Sequence, residues 1–199
     1  DFEEGESEWI SQTWAHPCTI SIVPHRDSKR LQVVVHRANK DKAAVERGIQ
    51  LDFSSRDLIC VDVENGGDAD VQMALALQVQ EKSGNYEWYE SSMKPIAQGV
   101  NEAVTFDLHA EDFKCLRTGW KHTTTARNLD GVVRMFLLIY TARPGTFYFD
   151  NIVAIRKDGK PFDPPRPPPR RAEPPLRPTR EKPAGRAGEE EREERPRKA

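Results

Sequence analysis

Inside the run GTFYFDNIVAIR, an otherwise aromatic and β-branched stretch, Asp150 and Asn151 stand side by side. An acid half-buried among apolar neighbours needs a hydrogen-bond donor, a counter-charge or a metal ion. Other side chains able to do chemistry are sparse. The five histidines, His16, His25, His36, His109 and His122, are scattered without metal-ligand spacing. Nucleophile-elbow, zinc-protease and glycine-rich phosphate-binding patterns are all missing. The acid pairs Asp68/Asp70 and Glu111/Asp112 lie in polar turn segments, where solvation is the simpler role. Glycosidase carboxylates need not be close in sequence, but nothing here marks such a pair. Aromatic residues are the stronger signal. Tyr86, Trp88 and Tyr89 cluster in GNYEWYE with Glu87 and Glu90 between them. Aromatic planes of this kind suit the C–H faces of sugar rings, and equally suit covering the ends of a β-sandwich.

The elements that position these residues are short strands. Candidates are 18–23, 31–37, 48–53, 58–64, 71–80, 87–90, 103–108, 132–140 and 147–156, separated by turn signals such as HRDSK, NGGDAD, KSGN and RPG. Nine strands at this spacing predict an all-β, antiparallel β-sandwich. In VQMALALQVQ, Val71, Met73, Leu75, Leu77 and Val79 form the core face, leaving Gln72, Ala74, Ala76, Gln78 and Gln80 on a small, amide-bearing outer face. VVRMFLLIY sends Val133, Met135, Leu137 and Ile139 inward; its other face, Arg134, Phe136, Leu138 and Tyr140, is more apolar than a wetted face requires. In the closing run, alternation puts Phe147, Phe149, Val153 and Ile155 on one side, with Tyr148, Ile152 and Ala154 on the other. Only RANKDKAAVERG has helical composition, with Gly48 as its C-cap, and it serves equally as a surface loop.

Composition divides the chain. Eleven of the 15 prolines fall from Pro161 onward, and residues 156–199 carry 14 Lys/Arg against 9 Asp/Glu, a net of +5. The remaining 155 residues are therefore at −7, although the whole chain is at −2. An acidic domain repels phosphate backbones, which argues against nucleic acid as a partner. The expected division is a β-sandwich over 1–157 and a disordered proline-rich, charged linker or tail over 158–199, too poor in apolar side chains to offset its ordering entropy. PPRPPPRR within it has the polyproline form that aromatic-lined grooves bind, a route to a protein partner. No run approaches the roughly 18 apolar residues of a membrane span. A first residue Asp1 in place of Met is what a processed chain or an excised fragment would show. Cys18, Cys60 and Cys115 lack CxxC spacing; Cys60, in LICVDV, packs as a small hydrophobe, and a Cys18–Cys115 disulfide is open.

Set beside DFEEGESEW at the start of the chain, YFDNI at the end of the domain becomes more specific. A start of the form F-E-x-G…W with a closing Y-F-D-N-I strand resembles secreted, non-catalytic carbohydrate-binding modules with the galactose-binding-domain-like jelly roll. LICVDVENGG and NEAVTFDLHAEDFK are similar to that fold's middle strands, so the resemblance spans residues 1 to about 156. It implies a structural calcium where the first and last strands meet, with Glu3 and Asp150 as the matching acids and Asp1 or Asn151 as helpers. Calcium takes six to eight oxygens, so backbone carbonyls would complete the set. The alternative is that Asp150 accepts backbone N–H groups or pairs with an arginine such as Arg127.

The resemblance also implies a polysaccharide ligand, held in a groove across one sheet or by loops at the sandwich edge. The groove would use Gln72, Gln78, Arg134 and Tyr140, with Trp88 and Tyr86 at its rim and Ala74 and Ala76 leaving room for a sugar chain. The loops would use Trp9, Trp14 or Trp120. A binding module with no catalytic residues, secreted or in a cell envelope, is the expected function. The competing expectation is a protein-interaction or assembly domain on the same fold, meeting its partner through an exposed face at Phe136 and Leu138.

Overall fold

The computed structural model describes residues 8–158. The expected proline-rich tail, including PPRPPPRR, and the metal candidates Glu3 and Asp1 lie outside those residues. Twelve strands form two antiparallel sheets: β1 (Trp9–Ser11), β2 (Cys18–His25), β3 (Ser28–Val35), β4 (Ala43–Leu51), β5 (Leu58–Asn65), β6 (Val71–Gln80), β7 (Tyr86–Ser91), β8 (Lys94–Ile96), β9 (Gly99–Asp107), β10 (Phe113–Lys114), β11 (Val132–Tyr140) and β12 (Gly145–Ile155). One sheet runs β1-β4-β11-β6-β7-β10, with β8 also on β6; the other runs β2-β3-β12-β5-β9. This is the antiparallel jelly-roll sandwich expected from the alternation. Its core lies between the sheets, where Leu31, Val33, Leu75, Leu77, Leu137 and Phe149 are fully buried. No helix among the described residues is long and apolar enough to cross a membrane.

Three expectations need correction. The stretch with helical composition is no helix: residues 37–42 are a loop, as the alternative expected, and from Ala43 it enters the strand β4, where Ala43, Ala44, Val45 and Glu46 are all buried. Helix propensity is a weak prior, and β4 is fixed by pairing with β1 on one side and β11 on the other. The alternation predicted for β12 also breaks midway. Its pairing with β5 slips between Asp150 and Val153, and Asn151 takes a left-handed backbone (φ 47°), which makes a β-bulge. Beyond the bulge the faces exchange: Ile152 and Ala154 pack against the core, whereas Val153 is 46% exposed. Asparagine is among the few residues that adopt this conformation readily.

The third correction concerns the apolar outer face of β11. Phe136 and Leu138 are not exposed to a partner; they are buried with Ala15, Ala44, Ala74 and Ala76 in a second, smaller apolar cluster. The segment between β1 and β2 provides the cover. Its Gln12 and His16 N–H groups donate to the carbonyls of Ala44 and Lys42 beside it. His16, wholly buried, locks the segment: Nδ1 accepts the N–H groups of Asn39 and Lys40, so the proton is on Nε2, which donates to the Thr141 carbonyl at 3.0 Å. The space foreseen over Ala74 and Ala76 is therefore filled by the protein itself.

Candidate functional site

The covering segment leaves one half of the seven-stranded sheet's outer face open. Cross-strand register puts Arg134 beside Gly48 and Gln78, Gln78 beside Trp88, and Gln80 beside Tyr86. Arg134, Gln78, Gln80 and Tyr86 line an open depression of ≈ 630 Å³ with Gln50, Ile49 and Val133, within the size range of ligand pockets; Trp88 lies next to it, beside Gln78. Tyr86, 59% exposed in the lining of the depression, offers a ring face. Trp88 forms the boundary with the covered half. Its ring lies 4.5 Å from that of Phe136, and Trp14 meets it edge-on at 6.3 Å. Trp14 and Trp88 thus stand together at the edge of the covered half, with Trp88 packed on the smaller apolar cluster.

Gly48 and Gly131 keep this end of the sheet open in different ways. At Gly48 a Cβ would meet nothing within 4 Å, so a side chain there would project into the depression rather than into the protein. At Gly131, just before β11, a Cβ would come within 2.7 Å of the Gln80 carbonyl, so only glycine lets the chain approach.

Two carboxylates lie beneath this face. Glu46 is 5% exposed; one of its oxygens is 3.5 Å from Arg134 Nη1, and the other is buried without a hydrogen-bond partner among the described residues. Glu90 is 3% exposed and fully engaged: Lys114 Nζ donates at 2.7 Å, Lys42 Nζ at 3.1 Å and the Tyr140 hydroxyl at 2.5 Å. Burial opposes the Glu90 charge, yet the bonds from Lys114 and Tyr140 and the charge of Lys42 outweigh it and hold its carboxyl below the usual range. Burial, with Glu90 as acceptor, pushes the Tyr140 phenol strongly upward, so this hydroxyl stays a donor. Lys42 also donates to the Tyr140 hydroxyl at 2.8 Å and lies over the ring.

Of the six residues expected at a ligand site, Gln78, Arg134, Tyr86 and Trp88 are therefore brought together. Tyr140 and Gln72 are cross-strand neighbours at the far end of the same face, and Tyr140 is spent on Glu90. Among the loop alternatives, Trp9 is a core residue on β1 at 5% exposure and does not line this depression. Trp120 is 51% exposed in a separate turn. The sequence reading missed Gln50 and the place of Trp14 beside Trp88. Nothing local signalled either: Gln50 is a lone amide in QLDF, and Trp14 meets Trp88 only through the fold.

The second concavity, ≈ 380 Å³, is on the outer face of the five-stranded sheet and includes Asp62, Glu64, Tyr148 and Asp150 in its lining. Arg30 is stacked 3.8 Å over the Tyr148 ring and pairs with Glu64. Asp62 ties two bulges together: one oxygen accepts the Ala103 N–H and the other the Asn151 side-chain amide, each at 2.7 Å. Asp150, opposite Asp62, accepts the Asn151 N–H at 2.8 Å, one of the two non-metal roles considered for it. The described residues alone do not make a calcium site: no three acid, histidine or cysteine side chains among them converge. Cys18 and Cys115 are both free thiols, and Cys18 is bonded to the Ser11 hydroxyl.

No protein-family model matches the sequence, and none of the curated proteins matches it. Solved structures do. The family 11 carbohydrate-binding module from Clostridium thermocellum, solved in complex with a β-1,3-1,4-mixed-linked tetrasaccharide, superposes with a TM-score of 0.58 at 16% identity over 78% of this chain and 93% of that one. A solution structure of CtCBM11 gives 0.60 at 14% identity, covering 78% and 92%. An exo-β-agarase gives 0.55 at 16% identity over 82% of this chain, which corresponds to 25% of the agarase. At these identities the likeness is one of fold: the chain has the β-sandwich jelly roll of carbohydrate-binding modules.

Proposed function

We propose that the protein is a non-catalytic carbohydrate-binding module whose ligand lies on the open half of the seven-stranded sheet's outer face. The observation that carries this reading is the convergence of Tyr86, Gln78, Gln80, Gln50 and Arg134 on one depression, with Trp88 next to it beside Gln78. A solvent-facing ring stacks on a pyranose, three amides exchange hydrogen bonds with hydroxyls, and the guanidinium adds donors. All project from paired strands, so the surface is preformed and little ordering entropy is spent on binding. Fold and ligand class agree with the structural neighbours, one of which was solved with a mixed-linked tetrasaccharide. The proposed setting is a secreted or cell-envelope protein.

Affinity electrophoresis of the full chain against a panel of soluble polysaccharides tests this directly. At least one polymer should retard the protein, and Tyr86→Ala should abolish the shift while leaving the melting temperature unchanged. Uniform mobility on every polymer would reject the proposal. A structural calcium bound by Asp150 and Glu3 remains a separate part of the proposal. Chelation should then lower the melting temperature, and Asp150→Asn should remove that response; an unchanged melting curve rejects the ion.

A further inference from the structure

We infer that the ligand of this groove is an anionic glycan, one bearing carboxylate or sulfate groups; the inference rests on the carbohydrate reading above. Residues 1–155 are acidic, at net −7, yet the charges on this face are layered with acids below and bases above. Glu46 and Glu90 are 5% and 3% exposed, whereas the side chains of their partners are more open: Arg134 at 51%, Lys42 and Lys114 at 20% each. Among the described residues the depression has no carboxylate in its lining, and Arg134 is its one charged group. The cleft on the other sheet contrasts with it: Asp62, Glu64, Glu102 and Asp150 outnumber Arg26 and Arg30 in its lining.

Arg134 is also largely unspent. Its single partner among the described residues is Glu46, and at 3.5 Å from one nitrogen that contact is a loose ion pair, not a bidentate fork. Most of its five N–H donors therefore remain for a ligand. A planar guanidinium fork matches carboxylate and sulfate oxygens two at a time, which an ammonium cannot do. A buried acid with one unpaired oxygen is costly to retain. Glu46 is placed to hold Arg134 upright over the groove, because it lies on β4 two residues from Gly48, the register partner of Arg134.

The test is a titration of the full chain with a polyuronate, a sulfated galactan and a neutral mixed-linkage β-glucan at low and high salt. The two anionic polymers separate carboxylate from sulfate recognition, and at least one should bind more tightly than the neutral glucan. That binding should weaken with ionic strength. Because Arg134→Gln alone would strand a buried acid, the informative variant is the double replacement Glu46→Gln with Arg134→Gln. It should keep the fold, checked by its melting curve, and lose about tenfold in affinity for the anionic polymer. Arg134→Lys should recover part of the salt-dependent attraction but not the full affinity. Unchanged anion binding in the double variant would assign it to the basic C-terminal segment and overturn the inference. Equal or tighter binding of neutral glucan would overturn it while leaving the carbohydrate proposal standing. Failure of all three polymers, and of the wider panel, would remove both.

Discussion

Glu90→Gln is the perturbation that most clearly separates structure from decoration on this face. The carboxylate is 3% exposed and takes three donors, two of them lysines. Hydrogen bonds to a charged group contribute about 1.5–3 kcal/mol each, and breaking a buried ion pair costs about 3–5 kcal/mol. The glutamine carbonyl still accepts one bond, and both lysines are a fifth exposed, so they regain some hydration. The expected loss is therefore about 2–4 kcal/mol, below the full cost of a broken buried pair. For a domain of this size it corresponds to a fall in melting temperature of roughly 5–15 °C. The pH dependence gives an independent check. Because the folded state holds the Glu90 carboxyl below its ordinary value of 4.5, its contribution is complete above that pH and declines as pH falls through the depressed value. Urea unfolding of both proteins from pH 7 to pH 3 should show their stability difference largest at neutral pH and shrinking below pH 4.5. A difference under about 0.5 kcal/mol at pH 7, the range of an ordinary surface substitution, would refute the argument.

Other consequences are quicker to measure. Phe136→Ala, at a site 3% exposed, should cost about 3–5 kcal/mol in denaturant unfolding, against less than about 0.5 kcal/mol for the exposed Tyr86→Ala. Asn151→Gly should be milder than Asn151→Ala, which adds about 1–2 kcal/mol of left-handed strain to the loss of the Asp62 bond; the reverse order would deny the bulge. Without reductant, denatured protein should release three titratable thiols, and native Cys115, 1% exposed, should be unreactive. A Cys18–Cys115 bridge would leave only one.

Most of the sandwich was legible because strands with one wet face alternate cleanly. The bounds of β6 and β11 were found to the residue, since Val71–Gln80 and Val132–Tyr140 carry period-two patterns. A bulge after Val132 breaks that of β11, however: Val132 is in the core and Val133, expected inward, lines the outer depression with Arg134. Where legibility failed, a nonlocal partner or a bulge had overruled the pattern. The first half of β4, Ala43 to Glu46, is buried on both faces because the segment after β1 lies over it, and a strand so covered need not alternate. The same cover explains why the apolar outer face of β11 resembled a docking surface: Phe136 and Leu138 do have a partner, but it comes from more than a hundred residues earlier in the chain. At β12 the sequence directs attention to the half-buried acid of the Asp-Asn pair, whereas the structural consequence comes from the asparagine, whose left-handed backbone reverses the facing of the residues after it. Four of the six expected ligand residues meet because register neighbours on adjacent strands share a face; Gln72 and Tyr140 fail because the same alternation that puts them on that face sets them at its far end.

The central claim is that this protein binds its glycan on the open half of the seven-stranded sheet. Its most direct test is a titration with a soluble oligosaccharide of a polymer that retards the protein, followed through the backbone amide resonances. The account predicts that Gln78, Gln80, Tyr86, Trp88 and Arg134 shift together with one dissociation constant, while Tyr148 and Asp150 on the opposite sheet stay still. Shifts confined to the Tyr148–Asp150 cleft, or to the turn that carries Trp120, would contradict it.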